Sequence, residues 1–134
     1  MRRLDETAFV APRQIVPADV PALAARGIRL LVNNRPDGEE GGQPRSAEIA
    51  AAAGAAGLEY RHIPTTGGFA ADRIEDMARA LDQGPALLFC RTGTRSTYLW
   101  ALARASRGVD ATTLIRQAAE AGYDLRPLLP HLTR

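Results

Sequence analysis

The sequence predicts a three-layer α/β fold in one domain, with a mostly parallel sheet of about four strands flanked by helices. Two observations predict this class. Short apolar runs of strand length alternate with amphipathic stretches of helix length along the whole chain. The 134 residues are 46% hydrophobic and 24% charged, which suits one globular domain, residues 1–134.

The first half of the chain predicts two helices and two long strands. A short apolar run over 9–11 precedes a helix over 17–25, which a glycine ends. The apolar run 28–32 predicts a buried strand, and turn residues follow it. After an exposed glycine-rich loop, a helix over 46–56 leads into a strand over 58–63.

The second half continues the alternation. Apolar residues spaced i, i+3, i+4, i+7 predict a helix over 71–81, and the short run 86–89 predicts a buried strand. After the segment 90–96 we expect a helix through residue 104, a second one after residue 110, and a short helical turn over 125–130.

Parallel strands joined by helices place their carboxyl ends at one edge of the sheet, where ligands of such folds bind. Three loops follow predicted strands, at 33–38, 64–68 and 90–96. We therefore expect these loops to converge and to form the functional site.

Charge and composition exclude several classes of function. The net charge is +2, lysine is absent, and the 17 arginines are spread along the chain, so nucleic-acid binding is not predicted. A small anionic substrate suits such a protein. No apolar run approaches the roughly 20 residues of a membrane span, and the start carries no signal-peptide pattern.

The single cysteine, Cys90, cannot form an internal disulfide, which favours a reducing, cytoplasmic location. The two histidines, His62 and His131, are not clustered with other ligand types, so we predict neither a metal site nor a cofactor. His62 lies on a predicted strand and is expected to be structural.

The segment 90–96 carries the clearest chemical signal. A cysteine between a strand and the start of a helix meets free backbone N–H groups and the helix dipole, which favour the thiolate form. Gly93 allows the loop amides to point inward, and Arg91 and Arg95 add positive charge. A thiolate in this setting can attack an anionic substrate at phosphorus or at sulfur.

A lone cysteine at the end of an apolar strand is usually an inert small hydrophobe. Two arginines and a glycine at a strand-to-helix junction have no packing purpose, however, and they favour a reactive Cys90. We predict Cys90 and Arg95 as catalytic residues. The predicted substrate-binding residues are Arg35, Arg91, Thr92, Gly93, Thr94 and Ser96.

Two resemblances follow from these motifs. The sequence of 90–95 resembles the active loop of rhodanese sulfurtransferases, Cys-Arg-x-Gly-x-Arg/Thr. The segments 32–39, 42–44 and 60–64, together with the cysteine loop, resemble the phosphatase-like domain of beta-lactamase hydrolase-like proteins. The latter resemblance implies the protein-tyrosine and dual-specificity phosphatase fold. It also implies sulfane-sulfur handling or phosphatase chemistry, with a persulfide dioxygenase as a partner.

The spacing of the arginine favours sulfur transfer over phosphatase chemistry. The phosphatase signature is Cys-x5-Arg, but the sixth residue after Cys90 is Ser96, and Arg95 comes one place early. We therefore expect Arg95 to point elsewhere than toward a bound phosphoryl group. Ser96 is expected to hydrogen-bond Cys90, to cap the helix, or to do both.

The loop that should supply a general acid, 64–68, also contains no carboxylate, and Asp37 and Asp72 are the nearest substitutes. Sulfur transfer needs neither feature. We accordingly predict a sulfurtransferase in which Cys90 takes a sulfur atom from thiosulfate or a persulfide and passes it to an acceptor. The alternatives are a hydrolase acting through a Cys90 phosphocysteine and a non-catalytic module that senses anions or persulfides.

Overall fold

The computed structural model describes residues 1–132 and confirms the α/β class. The strands of this part of the chain are β1 (Arg2–Arg3), β2 (Ala8–Val10), β3 (Leu30–Asn33), β4 (Glu59–His62) and β5 (Ala86–Phe89). They form one sheet in the order β1-β2-β5-β3-β4. All neighbouring pairs are parallel except β1 and β2, which are antiparallel.

The helices connect the parallel strands or follow the last of them. They are α1 (Val20–Ala25), α2 (Ser46–Ala55), α3 (Ala71–Leu81), α4 (Thr94–Ser106), α5 (Ala111–Glu120) and α6 (Leu129–Leu132). Short 3-10 turns precede α1 and α6, at Pro17–Asp19 and Arg126–Leu128. The helix after Cys90 begins at Thr94, earlier than the sequence indicates, so that Arg95 lies in its first turn.

The central strands β3 and β5 are buried on both faces, which confirms the three layers. Alternate residues of a strand point to opposite faces, and β5 divides in this way. Leu87 and Phe89 pack with the layer that contains α1 and α2, whereas Ala86 and Leu88 pack with the layer of α3, α4 and α5. Strands covered on both faces read as continuous apolar runs, which explains the sequence of β3 and β5.

A partly buried carboxylate fixes α4 to the start of the chain. Asp5 accepts hydrogen bonds from Trp100 Nε1 at 2.7 Å and from Arg104 Nε at 2.8 Å. Burial raises the pKa of Asp5, but the hydrogen bonds from Arg104 and Trp100 outweigh it and leave the pKa below its usual value. The ionised Asp5 therefore anchors the helix whose first turn carries Arg95.

The strand register brings the predicted loops together. Asn33 of β3 pairs with His62 of β4 on one side and with Phe89 of β5 on the other. The three strands therefore end at the same level, and the residues that follow them form one rim of the sheet. Cys90 is the first residue after β5 and lies on this rim.

Candidate active site

Cys90 lies at the base of the loop, with 1% of its surface exposed. The backbone N–H of Gly93 donates to its Sγ at 3.2 Å. Gly93 caps the start of α4 and has a φ of 94°, in the left-handed region that glycine adopts readily. The loop thus directs an amide hydrogen and the start of a 13-residue helix toward the sulfur, an arrangement that stabilises a thiolate.

Arg95 is held by the two loops opposite Cys90. Its Nη1 and Nη2 donate to the two carboxylate oxygens of Glu39, each at 2.8 Å, and Nη1 also donates to the backbone oxygen of Thr65 at 2.8 Å. These bonds use three of the five guanidinium N–H groups. The Nε–H and the second Nη2–H remain, and they lie side by side on one edge of the guanidinium.

This remaining edge is available to an anion. The Glu39 carboxylate is the main cause of the raised pKa of Arg95, and the charge of Cys90 adds to it. The guanidinium is thus directed at Glu39 and Thr65, and its grip on a phosphoryl group stays a prediction. Glu39 and Thr65 fix the end of the long Arg95 side chain. The spacing between Cys90 and Arg95 in the sequence does not reveal these two partners.

Glu39 is a site residue that its place in the sequence does not reveal, because it lies at the start of a glycine-rich loop that we expect to be exposed. Hydrogen bonds from Arg95, and then from Arg35, lower the pKa of Glu39 to about 2. The carboxylate is consequently ionised throughout the physiological range. It serves as a partner for arginine and not as a proton donor.

A second acidic residue extends the ion-pair network. Arg35 is buried, and its guanidinium donates to Glu39 at 2.9 Å, to Gln14 at 2.9 Å and to Glu40. Glu40 also pairs with Nε of the exposed Arg91 at 3.0 Å. Arg35 thus holds both glutamates in place, and its predicted contact with substrate stays a prediction.

The remaining predicted residues of the loop differ in their surroundings. Thr92 and Thr94 are exposed, and their hydroxyl groups lie 3.3 Å apart. Ser96 is buried, and within residues 1–132 its Oγ has no hydrogen-bond partner. Neither expectation for Ser96 is met, because Gly93 occupies the capping position and the Ser96 hydroxyl does not bond Cys90.

His62 contacts the backbone of the loop that follows β3. Its Nε2 shares a 2.9 Å hydrogen bond with the backbone oxygen of Arg35. The amide oxygen of Asn33 accepts from the backbone N–H of Arg35 at 2.9 Å. These contacts fix the backbone from which the Arg35 side chain begins.

The two acidic residues predicted as the nearest substitutes for a proton donor both accept hydrogen bonds from backbone N–H groups. Asp37 accepts from the backbone N–H of Ser46 at 2.7 Å, and Asp72 accepts from that of Arg73 at 2.8 Å. Within residues 1–132 neither makes a hydrogen bond to Cys90 or Arg95. The loop 64–68 borders the site through Thr65 but contains no carboxylate.

Across residues 1–132, no three side chains of the types His, Cys, Asp or Glu lie close enough together to hold a metal ion. No helix in this part of the chain is long and apolar enough to cross a bilayer.

A family model and a related sequence both connect this chain with the beta-lactamase hydrolase-like proteins. Residues 1–107 match the family model of the beta-lactamase hydrolase-like protein, phosphatase-like domain. A beta-lactamase hydrolase-like protein of Agrobacterium fabrum is 38% identical over 109 residues, which are 79% of this chain and 25% of that protein. The chain therefore spans about a quarter of the length of this relative.

Solved structures agree with this relationship. A candidate phosphatase from Neisseria meningitidis is 34% identical, with a TM-score of 0.84 over 98% of this chain and 95% of that chain. Tk-PTP has a TM-score of 0.69 at 17% identity, over 93% of this chain and 86% of its own, and at that identity the likeness concerns the fold. The chain belongs to the phosphatase-like domain family of the beta-lactamase hydrolase-like proteins.

Proposed function

We propose that this chain is a cysteine-dependent phosphatase that hydrolyses phosphate monoesters through a Cys90 phosphocysteine. The observation that carries the proposal is the position of Arg95. Arg95 lies in the first turn of the helix that follows the Cys90 loop, and Glu39 and Thr65 leave the Nε–H and one Nη2–H along one edge of its guanidinium. Such an edge binds two oxygens of a phosphoryl group at once.

In the first step, the Cys90 thiolate attacks phosphorus and a sulfur–phosphorus bond forms while the bond from phosphorus to the ester oxygen breaks. The non-bridging oxygens gain hydrogen bonds from Arg95 and from amides of the loop at the start of α4. The leaving group departs with the electron pair of the broken bond and takes a proton from water.

In the second step, a water molecule attacks the phosphorus of the phosphocysteine. The sulfur–phosphorus bond breaks, its electron pair returns to Cys90 as the thiolate, and inorganic phosphate leaves with the oxygen of the water. Because Glu39 is ionised and the loop 64–68 has no carboxylate, leaving groups that are stable as anions should react best. We therefore expect aryl phosphates to be better substrates than alkyl phosphates.

Sulfur transfer remains a second candidate, and one observation favours it. The loop beside Arg95 contains no acid, and transfer of sulfane sulfur to and from Cys90 requires none. The relatives with solved structures are described as phosphatases, however, so the phosphatase alternative fits better than the sulfurtransferase prediction. A persulfide dioxygenase partner and a purely sensing role also stay predictions.

The test compares the wild-type chain with Cys90→Ser on p-nitrophenyl phosphate and on an alkyl phosphate of equal charge. The proposal predicts hydrolysis that depends on Cys90, with the aryl ester preferred. Acid quenching during turnover should trap one phosphoryl group on Cys90, detected by mass spectrometry of the intact chain. Cys90-dependent turnover without such an adduct would argue against the covalent mechanism.

The same preparation should also be exposed to thiosulfate and glutathione persulfide, followed by cyanide or sulfite. Repeated uptake and release of one sulfur atom by Cys90, without phosphate hydrolysis, would replace the phosphatase proposal with sulfur transfer. No turnover with either class of substrate would indicate a binding module.

A further inference from the structure

Tyr123 contacts the cysteine loop from outside the three loops that form the site. It follows α5, and only 9% of its surface is exposed. Its hydroxyl group donates to the backbone oxygen of Thr92 at 2.8 Å. The guanidinium carbon of Arg2 lies 5.7 Å from the centre of its ring. The phenol therefore has a defined position between the first strand and the active loop.

The hydrogen bond acts on one particular peptide unit. The carbonyl of Thr92 and the N–H of Gly93 belong to the same trans peptide, so they point in opposite directions. Tyr123 binds the carbonyl on the outer side, and the N–H on the inner side donates to Cys90 Sγ at 3.2 Å. Rotation of this peptide would break both bonds together.

The Tyr123 hydroxyl packs directly against Gly93, where only a residue without a side chain leaves room for it. A Cβ atom built on Gly93 would collide with the hydroxyl of Tyr123 and would lie 2.8 Å from the backbone oxygen of Ala11. The hydroxyl thus occupies the space that the missing side chain leaves. The backbone of Gly93 is held on its other side by the Thr97 hydroxyl, which donates to its carbonyl at 2.7 Å.

We propose that Tyr123 is a positioning residue that orients the Thr92–Gly93 peptide, so that its N–H stabilises the Cys90 thiolate. The consequence for turnover rests on the proposed phosphatase function, whereas the consequence for the reactivity of Cys90 does not. Nothing in the sequence near Tyr123 indicates this role, because the contact joins residues 31 positions apart.

The Tyr123 phenol is protonated at neutral pH, where it must donate its hydrogen bond to Thr92. Burial raises the pKa of Tyr123, the charge of Arg2 opposes this rise, and the charge of Cys90 adds to it. The net shift is upward, so the hydroxyl keeps its hydrogen at neutral pH. Ionisation of the phenol would remove the donor and place a second negative charge near the sulfur.

Tyr123→Phe tests the proposal because it removes the hydroxyl and keeps the ring in its packing site. Tyr98→Phe is the matched control, since the Tyr98 hydroxyl also donates to a backbone oxygen, that of Asp124 at 3.3 Å. The measurement is the rate of Cys90 alkylation by iodoacetamide as a function of pH. We expect the midpoint for Tyr123→Phe to move to higher pH, with alkylation near neutrality about three- to tenfold slower.

A second readout follows the peptide directly. In the wild-type chain the amide resonance of Gly93 should shift as Cys90 titrates, and this response should shrink in Tyr123→Phe while folding, monitored by circular dichroism, is retained. The control should match the wild type in both measurements. An unchanged alkylation profile and an unchanged Gly93 response in Tyr123→Phe would overturn the proposal, whether or not the chain hydrolyses phosphate esters.

Discussion

Glu39 binds both terminal nitrogens of Arg95 through two 2.8 Å hydrogen bonds, although the residues lie 56 positions apart. The carboxylate occupies the end of the guanidinium and leaves one side edge free for an anion. An arginine that comes one place early in the sequence is thus fixed by contacts from other loops. Glu39 therefore fixes the orientation of Arg95, which the spacing of the motif does not reveal.

Glu39→Gln should lower kcat/KM for p-nitrophenyl phosphate by about tenfold while the fold is retained. The amide has one oxygen in place of two and carries no charge, so the Arg95 guanidinium loses part of its orientation. Steady-state kinetics checks this expectation. Glu48→Gln, on the exposed surface of α2, is the control, and equal activity of the two variants would contradict the role of Glu39.

The pairing of Glu39 also predicts how stability depends on pH. The folded-state pKa is about 2, below the ordinary 4.5, so the ionised form stabilises the fold above pH 4.5. This contribution is lost as the pH falls from 4.5 toward 2. Chemical denaturation of the wild type and of Glu39→Gln should give free energies of unfolding that differ at neutral pH. The two values should converge as the pH approaches 2. A constant difference would contradict the ionic contribution.

Replacement by lysine should reduce kcat/KM far more at Arg95 than at Arg91. Lysine cannot bond Glu39, Thr65 and two substrate oxygens together, so Arg95→Lys should lower kcat/KM by about a hundredfold or more. Arg91 is exposed and pairs with Glu40 alone within the described residues, so Arg91→Lys should stay within about threefold of the wild type. Similar losses in both variants, measured with an aryl phosphate, would count against the assignment of Arg95.

Gly93→Ala should destabilise the chain by about 2 kcal/mol or more and abolish activity. Its φ of 94° disfavours a side chain, and the added methyl group would press on the backbone oxygen of Ala11 and on the Tyr123 hydroxyl. Gly41→Ala is the control, because a Cβ there would meet no atom within 4 Å. Thermal and chemical denaturation measure the difference, which must be absent in the control.

Asp5→Ala should cost about 2–4 kcal/mol of unfolding free energy, because it leaves Trp100 Nε1 and Arg104 without their shared carboxylate. Urea denaturation gives the value, and Glu6→Ala on the exposed surface next to it serves as the control. A loss below about 0.5 kcal/mol, typical of surface positions, would show that this partly buried ion pair contributes little.

Local patterns account for most of the predicted elements. The periodicity of Ile74, Met77, Ala78 and Leu81 predicts α3 with the bounds that the structure has, because an amphipathic helix is recorded in its own sequence. β1 was missed, since Arg2–Arg3 forms a strand only by pairing with β2 and carries no apolar pattern. The early start of α4 was missed because it depends on the left-handed backbone of Gly93.

The sequence by itself determined the α/β class, the family resemblance and the position of Cys90 at a strand-to-helix loop, because each of these is written in contiguous residues. Only the tertiary structure decided which groups surround the sulfur. Glu39 and Tyr123 reach the loop from segments 56 and 31 residues away from their partners. A long side chain such as Arg95 takes its direction from those partners. The spacing of the motif alone favoured sulfur transfer, whereas the family match shows a phosphatase-like domain.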